Sequence, residues 1–182
     1  MRYKEIKLLF VDIDGCLTDG IYQISDSGSI IKSFYTRDWY GIEQLLKKNI
    51  KVIILSQSHD EVIYKQVERI CSHSNFWHNA YENDKTLEII TKIDNKEEEV
   101  KKQKKYYDLE WNNIAYIGDA ENDIESMKLA VFSASPKDAI LDVSKVSNYF
   151  SSYGGGRGAV HDICRHILEN IERETRYENS KT

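Results

Sequence analysis

The chain has 182 residues, 41% of them apolar, with a formal net charge of -5 at pH 7 and an isoelectric point near 5.6. That length supports one well-cored domain over 1–182, the acidic balance argues against an extended nucleic-acid footprint, and no apolar run approaches the roughly 18 residues that cross a bilayer. The opening "MRYKEIK" leads into too short an apolar stretch for a secretory signal, and Cys16, Cys71 and Cys164 lack the spacing of a disulfide framework or a zinc site, so a cytoplasmic protein without nucleic-acid or membrane partners is expected.

The first element is the apolar run inside "IKLLFVDID", which reads as a buried strand and ends on Asp12 and Asp14, with Gly15 behind them. Two carboxylates at the tip of a buried strand are costly unless a cation or a phosphorylated ligand meets them there. "GIYQISDSGSIIKSFYT" alternates about a "SDSGS" turn signal and predicts a β-hairpin over about 20–35, inserted directly after the first strand. A helical pattern follows in "WYGIEQLLKKN", then a second buried strand in "IKVIILSQS" ending at Ser56, and a second helix in "HDEVIYKQVERICSH".

The next segment, "SHSNFWHNAYENDK", has no readable role, and its His73 and His78 stand five apart with no acidic or cysteine partner in metal-binding register. "NKEEEVKKQKKYYDLEW" reads as a charge-laced, solvated helix. "NIAYIGDA" is a third strand, tipped by Asp119, and the pattern "AENDIESMKLA" behind it carries Asp123. "VFSAS", "NYFSS" and the glycine-rich "YGGGRGAV" lead into a last helix over about Val160 to Arg173, with 174–182 expected as a frayed polar tail.

Strands alternating with helices predict an α/β protein with a parallel sheet joined by right-handed crossovers. In such sheets ligands bind beyond the carboxyl ends of the strands, which gathers Asp12, Asp14, Ser56, Asp119 and Asp123 at one crevice. That many carboxylates need a counter-charge, and hard oxygen donors with few protein partners suit Mg²⁺ shared with a phosphate.

"DIDGCLTDG", "ILSQS", a downstream lysine and "IGDAENDI" resemble the four motifs of the haloacid dehalogenase-like superfamily. "LTDGIY", "FYTRDWYGI", "NNIAYIGDAENDI" and "GGGRGAV" are similar to its minimally capped branch, which contains 3-deoxy-D-manno-octulosonate 8-phosphate phosphatase and related nonulosonate phosphatases. The resemblance implies a Rossmann-like three-layer sandwich with a central parallel sheet and the hairpin in place of a large cap. It also implies a Mg²⁺-dependent phosphatase acting on a phosphorylated 2-keto-3-deoxy sugar acid through an aspartyl-phosphate.

On that resemblance Asp12 is the nucleophile and Asp14 the general acid and base, with the Asp14 backbone carbonyl turned to the metal. Asp119 is a side-chain metal ligand beside Asp12, Asp123 is an outer ligand or stands one layer behind the metal, and Ser56 donates to the transferring phosphoryl group. The phosphate-neutralising lysine is Lys85 or Lys96, and the position of Lys96 ahead of Asp119 matches the family pattern better. Arg37, Asp38, Ser58 and Arg157 are candidate sugar-binding residues, and the branch forms homotetramers in which the hairpin covers a neighbour's site. Two departures bear on the substrate: Gln57 and Ser58 stand where relatives carry Gly-Arg or Gly-Glu, and Trp39 replaces a glycine, which is expected to add bulk beside Arg37 and Asp38. Two other functions compete: a non-catalytic oligomerisation module like those fused to sialic-acid cytidylyltransferases, and a phosphatase of another small metabolite.

Overall fold

Strand β1 (Leu8–Asp12) is buried along its whole length in a computed structural model that describes residues 1–181. Two parallel neighbours flank it, β4 (Lys51–Leu55) and β6 (Ile114–Ile117), with Leu8 opposite both Lys51 and Ile114. With β5 (Leu87–Ile90), β7 (Phe132–Ser135) and β8 (Tyr149–Phe150) they make a six-stranded parallel sheet in the order β5-β4-β1-β6-β7-β8. Strands buried on both faces cannot alternate apolar with polar residues, which is why these read as continuous apolar runs.

Successive side chains of β1 feed opposite cores. Leu9 and Val11 pack with α1 (Thr36–Leu46), α2 (Val62–His73) and α7 (Ala159–Asn179). Leu8 and Phe10 pack with Val100 of α4 (Lys96–Tyr106), Met127 of α5 (Ile124–Leu129) and Val143 of α6 (Leu141–Ser144). The result is a three-layer α/β sandwich. The hairpin is short, with β2 (Gln23–Ile24) antiparallel to β3 (Ile30–Ile31) and Gly28 at φ 81° in its turn.

Three features depart from the sequence reading. The unreadable segment contains α3 (Asn75–His78), which seats Trp77 in the core, and it runs into the edge strand β5. Trp39 turns inward instead of adding bulk beside a ligand: its ring meets Trp77 edge-on at 5.8 Å and Phe34 at 6.3 Å. The supposed tail is helical as far as Asn179, because Glu174 accepts the Tyr3 and Lys4 amides at 3.0 Å each and Glu178 pairs with Lys4 and Arg2. Thr182 lies outside the described residues.

Candidate active site

Adjacent strands β4, β1 and β6 deliver Ser56, Asp12 and the Asp119 turn to one end of the sheet. The chain turns sharply after Asp12, and Gly15 holds φ 96°, where a Cβ would lie 2.0 Å from Asp119 Oδ2. Only glycine lets the Asp12–Asp14 turn approach Asp119 so closely. From the other side, a Cβ on Gly155 would meet the Gly15 carbonyl at 1.9 Å, and the Gly156 amide donates to Cys16 O at 2.9 Å. The glycine-rich loop thus braces the turn from behind.

Lys96, the first residue of α4, is buried with its Nζ 2.7 Å from both Asp12 Oδ1 and Asp123 Oδ1. Asp123 is further saturated by the Tyr116 hydroxyl at 2.7 Å and by the Asp119 and Ala120 amides at 3.1 and 3.2 Å. It therefore works as a hub that fixes Lys96 and the Asp119 turn, one layer behind the Asp12 and Asp119 carboxylates. Lys85 is elsewhere, largely exposed and 3.9 Å from Glu82.

One lysine is too little for this much buried negative charge. Burial and then the Asp123 charge push the Asp12 carboxyl well above the ordinary carboxylate range, despite Lys96. Burial, followed by Asp123, raises Asp119 to about 6. Burial disfavours a charged Lys96, but Asp12 and Asp123 outweigh it and hold the ammonium above its usual value.

Among the described residues, the one group of three or more metal-ligating side chains with atoms within 4.8 Å of one another is Asp12, Cys16 and Asp119. The Cys16 thiol is raised well above its ordinary pKa, first by burial and then by Asp119, so a hard cation would find the two carboxylates as its donors. The donor set and its surplus negative charge fit Mg²⁺.

A cavity of about 390 Å³ opens beside Asp14 and is walled by Tyr22, Ile24 and Ile30 of the hairpin and by Lys32, Ser58, His59 and Asp60. The hairpin thus lies over the cleft of its own chain. Sequence reasoning missed Lys32 and Asp60. The Lys32 Nζ reaches Asp14 Oδ2 at 2.8 Å and Asp60 Oδ2 at 2.6 Å. Burial opposes the charge on both, yet hydrogen bonds to Asp14 and then Asp60 raise Lys32, and hydrogen bonds from Lys32 and Ser58 lower Asp60. An isolated lysine in a hairpin carries no sequence signal for this contact. Asp60 in "QSHD" could have been flagged only by its closeness to Ser56.

The other candidates divide. Ser56 is buried at the β4 tip and its Oγ accepts from the Ser58 amide at 3.0 Å. Gln57 ties two neighbouring loops together, donating to Asp94 O at 2.7 Å and accepting from Asn122 at 2.6 Å. Asp38 is not a substrate ligand: it is fully buried and accepts the His161 amide at 2.8 Å at the start of α7. Arg37 and Arg157 line a second cavity, of about 210 Å³, with His161 and Arg165, and this cavity shares no lining residue with the one beside Asp14.

This fold, with paired strand-tip aspartates, a buried lysine and a glycine-braced turn, defines a class, and a family model described as haloacid dehalogenase-like hydrolase matches residues 32–158. The chain belongs to that family. Within it, the chain is 30% identical to 3-deoxy-D-manno-octulosonate 8-phosphate phosphatase KdsC of Salmonella typhi, over 92% of this chain and 81% of that one. The phosphatase of that name from Moraxella catarrhalis, solved with magnesium, phosphate and KDO, superposes with a TM-score of 0.79 at 26% identity, covering 99% of this chain and 95% of the other. N-acylneuraminate cytidylyltransferase of Oncorhynchus mykiss is 31% identical over 90% of this chain, but the chain spans only 35% of its length. No helix among the described residues is long and apolar enough to cross a membrane.

Proposed function

We propose that the chain is a Mg²⁺-dependent cytoplasmic phosphatase that releases phosphate from a phosphorylated 2-keto-3-deoxy sugar acid of the octulosonate 8-phosphate or nonulosonate 9-phosphate type. The observation that carries this reading is Asp12 buried against Lys96 and facing Asp119, with Asp14 opening onto a sugar-sized cavity. The Asp12 and Asp119 carboxylates, with the Asp14 carbonyl, would hold the metal, which would screen the repulsion between the anionic nucleophile and the anionic phosphate.

The Asp12 carboxylate attacks phosphorus as the bond to the sugar oxygen breaks. That oxygen takes the departing electron pair and a proton from Asp14. Asp14 then accepts a proton from water, whose oxygen attacks phosphorus, and the bond to Asp12 breaks to release phosphate. Lys96 and the Ser56 hydroxyl neutralise and orient the equatorial oxygens, so that positioning and charge carry most of the catalysis. Ser58 and the hairpin face the sugar.

The exposed apolar residues Ile21, Ile24 and Ile31 of the hairpin support association into a homotetramer, which would shield the cleft further from water. The likeness to part of the cytidylyltransferases supports a second reading, a non-catalytic association module. Phosphate release from a panel of sugar phosphates with Mg²⁺ separates the two. Turnover of the sugar-acid phosphates supports the enzyme, turnover only of other phosphates moves the substrate class, and none at all leaves the module.

A further inference from the structure

Lys32, one residue beyond β3, is withdrawn from water to 4% side-chain exposure. Holding a long cationic side chain in one conformation costs rotamer entropy and hydration, and an exposed ion pair seldom recovers both. Here the ammonium bridges two carboxylates at 2.8 and 2.6 Å. Asp60 is itself fixed by the Ser58 hydroxyl at 2.5 Å, and the second Asp14 oxygen accepts from Thr18 Oγ1 at 3.2 Å. Both oxygens of Asp14 are therefore gripped, one by its own turn and one by the hairpin.

We propose, resting on the reading of Asp14 as proton carrier, that Lys32 is a positioning residue. It aims the Asp14 carboxyl at the leaving oxygen and sets a positive charge beside that oxygen, with the Ser58–Asp60 pair as its far anchor. The placement of Tyr22, Ile24 and Ile30 on the same hairpin and in the same cavity joins two events. A sugar that fills the cavity presses on the segment that aims the proton donor, so recognition of the leaving group and its protonation share one lever.

The consequence depends on the leaving group. In the first displacement the Asp12–phosphorus bond forms while the phosphorus–oxygen bond breaks, and the electron pair stays on the leaving oxygen. A sugar alkoxide needs the Asp14 proton and the nearby charge at that moment, whereas a nitrophenolate leaves without either.

Lys32→Met and Lys32→Arg are compared with the unaltered protein on octulosonate 8-phosphate and on 4-nitrophenyl phosphate, both with Mg²⁺. Because a positioned general acid is worth roughly 10²–10⁴-fold, Lys32→Met is expected to lower kcat about 100-fold on the sugar phosphate and less than about 3-fold on the aryl phosphate. Lys32→Arg, which keeps the charge, should recover about a tenth or more of the lost rate on the sugar phosphate. Equal losses on the two compounds, or no loss on the sugar phosphate, overturn the proposal. Should Lys32→Met fail to fold, Asp60→Asn must give the same selective loss, and a uniform effect there overturns it equally. Unaltered protein inactive on both compounds removes the phosphatase reading and this one together, whereas an active protein with equal losses removes this one alone.

Discussion

Replacing Lys96 by methionine keeps the length of the side chain and deletes its charge. Lys96 Nζ stands 2.7 Å from both Asp12 and Asp123, and these carboxylates are 5% and 0% exposed. Asp123 keeps the Tyr116 hydroxyl and two amides, while Asp12 loses its nearest cation. Breaking a buried pair by removing one partner costs about 3–5 kcal/mol. At roughly 2–4 °C per kcal/mol for a chain of this size, the thermal midpoint should fall by about 10 °C.

The pH dependence has a definite sign. Burial already raises the Asp12 carboxyl, and without Lys96 it rises further, so the folded form binds a proton more readily than the unfolded chain. A raised carboxyl contributes stability below its unfolded value and loses it as pH climbs through its folded value. The variant's deficit should therefore be largest near about pH 8 and shrink near about pH 5.5. Urea unfolding without added metal, followed by circular dichroism at both pH values, reads this directly. A variant within about 0.5 kcal/mol of the unaltered protein at both, or a deficit that grows on acidification, would refute the placement of Lys96 as the shared counter-charge. Turnover should fall by several orders of magnitude, while Lys85→Ala, an exposed change, should leave both stability and rate unaltered.

Asp12→Asn should abolish phosphate release yet raise the metal-free thermal midpoint by a few degrees, because it removes one of the carboxylates crowded about Lys96; near-normal turnover would exclude Asp12 as nucleophile. Chelation should stop turnover, and added Mg²⁺ should raise the midpoint in proportion to ln(1 + [Mg²⁺]/Kd) in the unaltered protein but not in Asp119→Ala. Burial raises Asp38 to about 6 although the His161, Gly158 and Val160 amides pull it back; stability should thus decline as pH rises from about 4 through 6, and Asp38→Asn should flatten that slope in urea titrations. Light scattering should report about four times the 21.2 kDa chain mass, and Ile24→Glu should lower both that mass and the rate.

What was legible in the sequence lay beside an apolar run. Asp12, Ser56 and Asp119 follow such runs, so the parallel sheet and the convergence of its tips could be read from the pattern alone. β5 escaped because "LEII" is short, carries Glu88 and lies at the sheet edge, where the burial that writes the pattern is incomplete. Asp38 was a sugar-binding candidate by resemblance alone, whereas its buried carboxylate accepts the His161 amide where α7 opens, a partner far along the chain that no local pattern announces. Trp39 and Trp77 compensate one another across 38 positions. Lys32, Asp14 and Asp60 meet only because the hairpin folds back over the cleft, and no local pattern encodes a fold-back.

The strand order carries one more consequence. β1 is paired on both edges and covered on both faces, and the flanking strands that complete the chemistry are its immediate neighbours. Backbone amides in such a place exchange with solvent only through near-global opening, whereas the two-residue strands β2 and β3, with exposed side chains, open at little cost. In deuterium, the amides of Leu9 to Val11 should stay protonated long after those of 21–31 have exchanged. Selection can accordingly redraw the exposed residues of 21–31 to suit a different sugar while Asp12 stays locked in the slowest-opening part of the molecule.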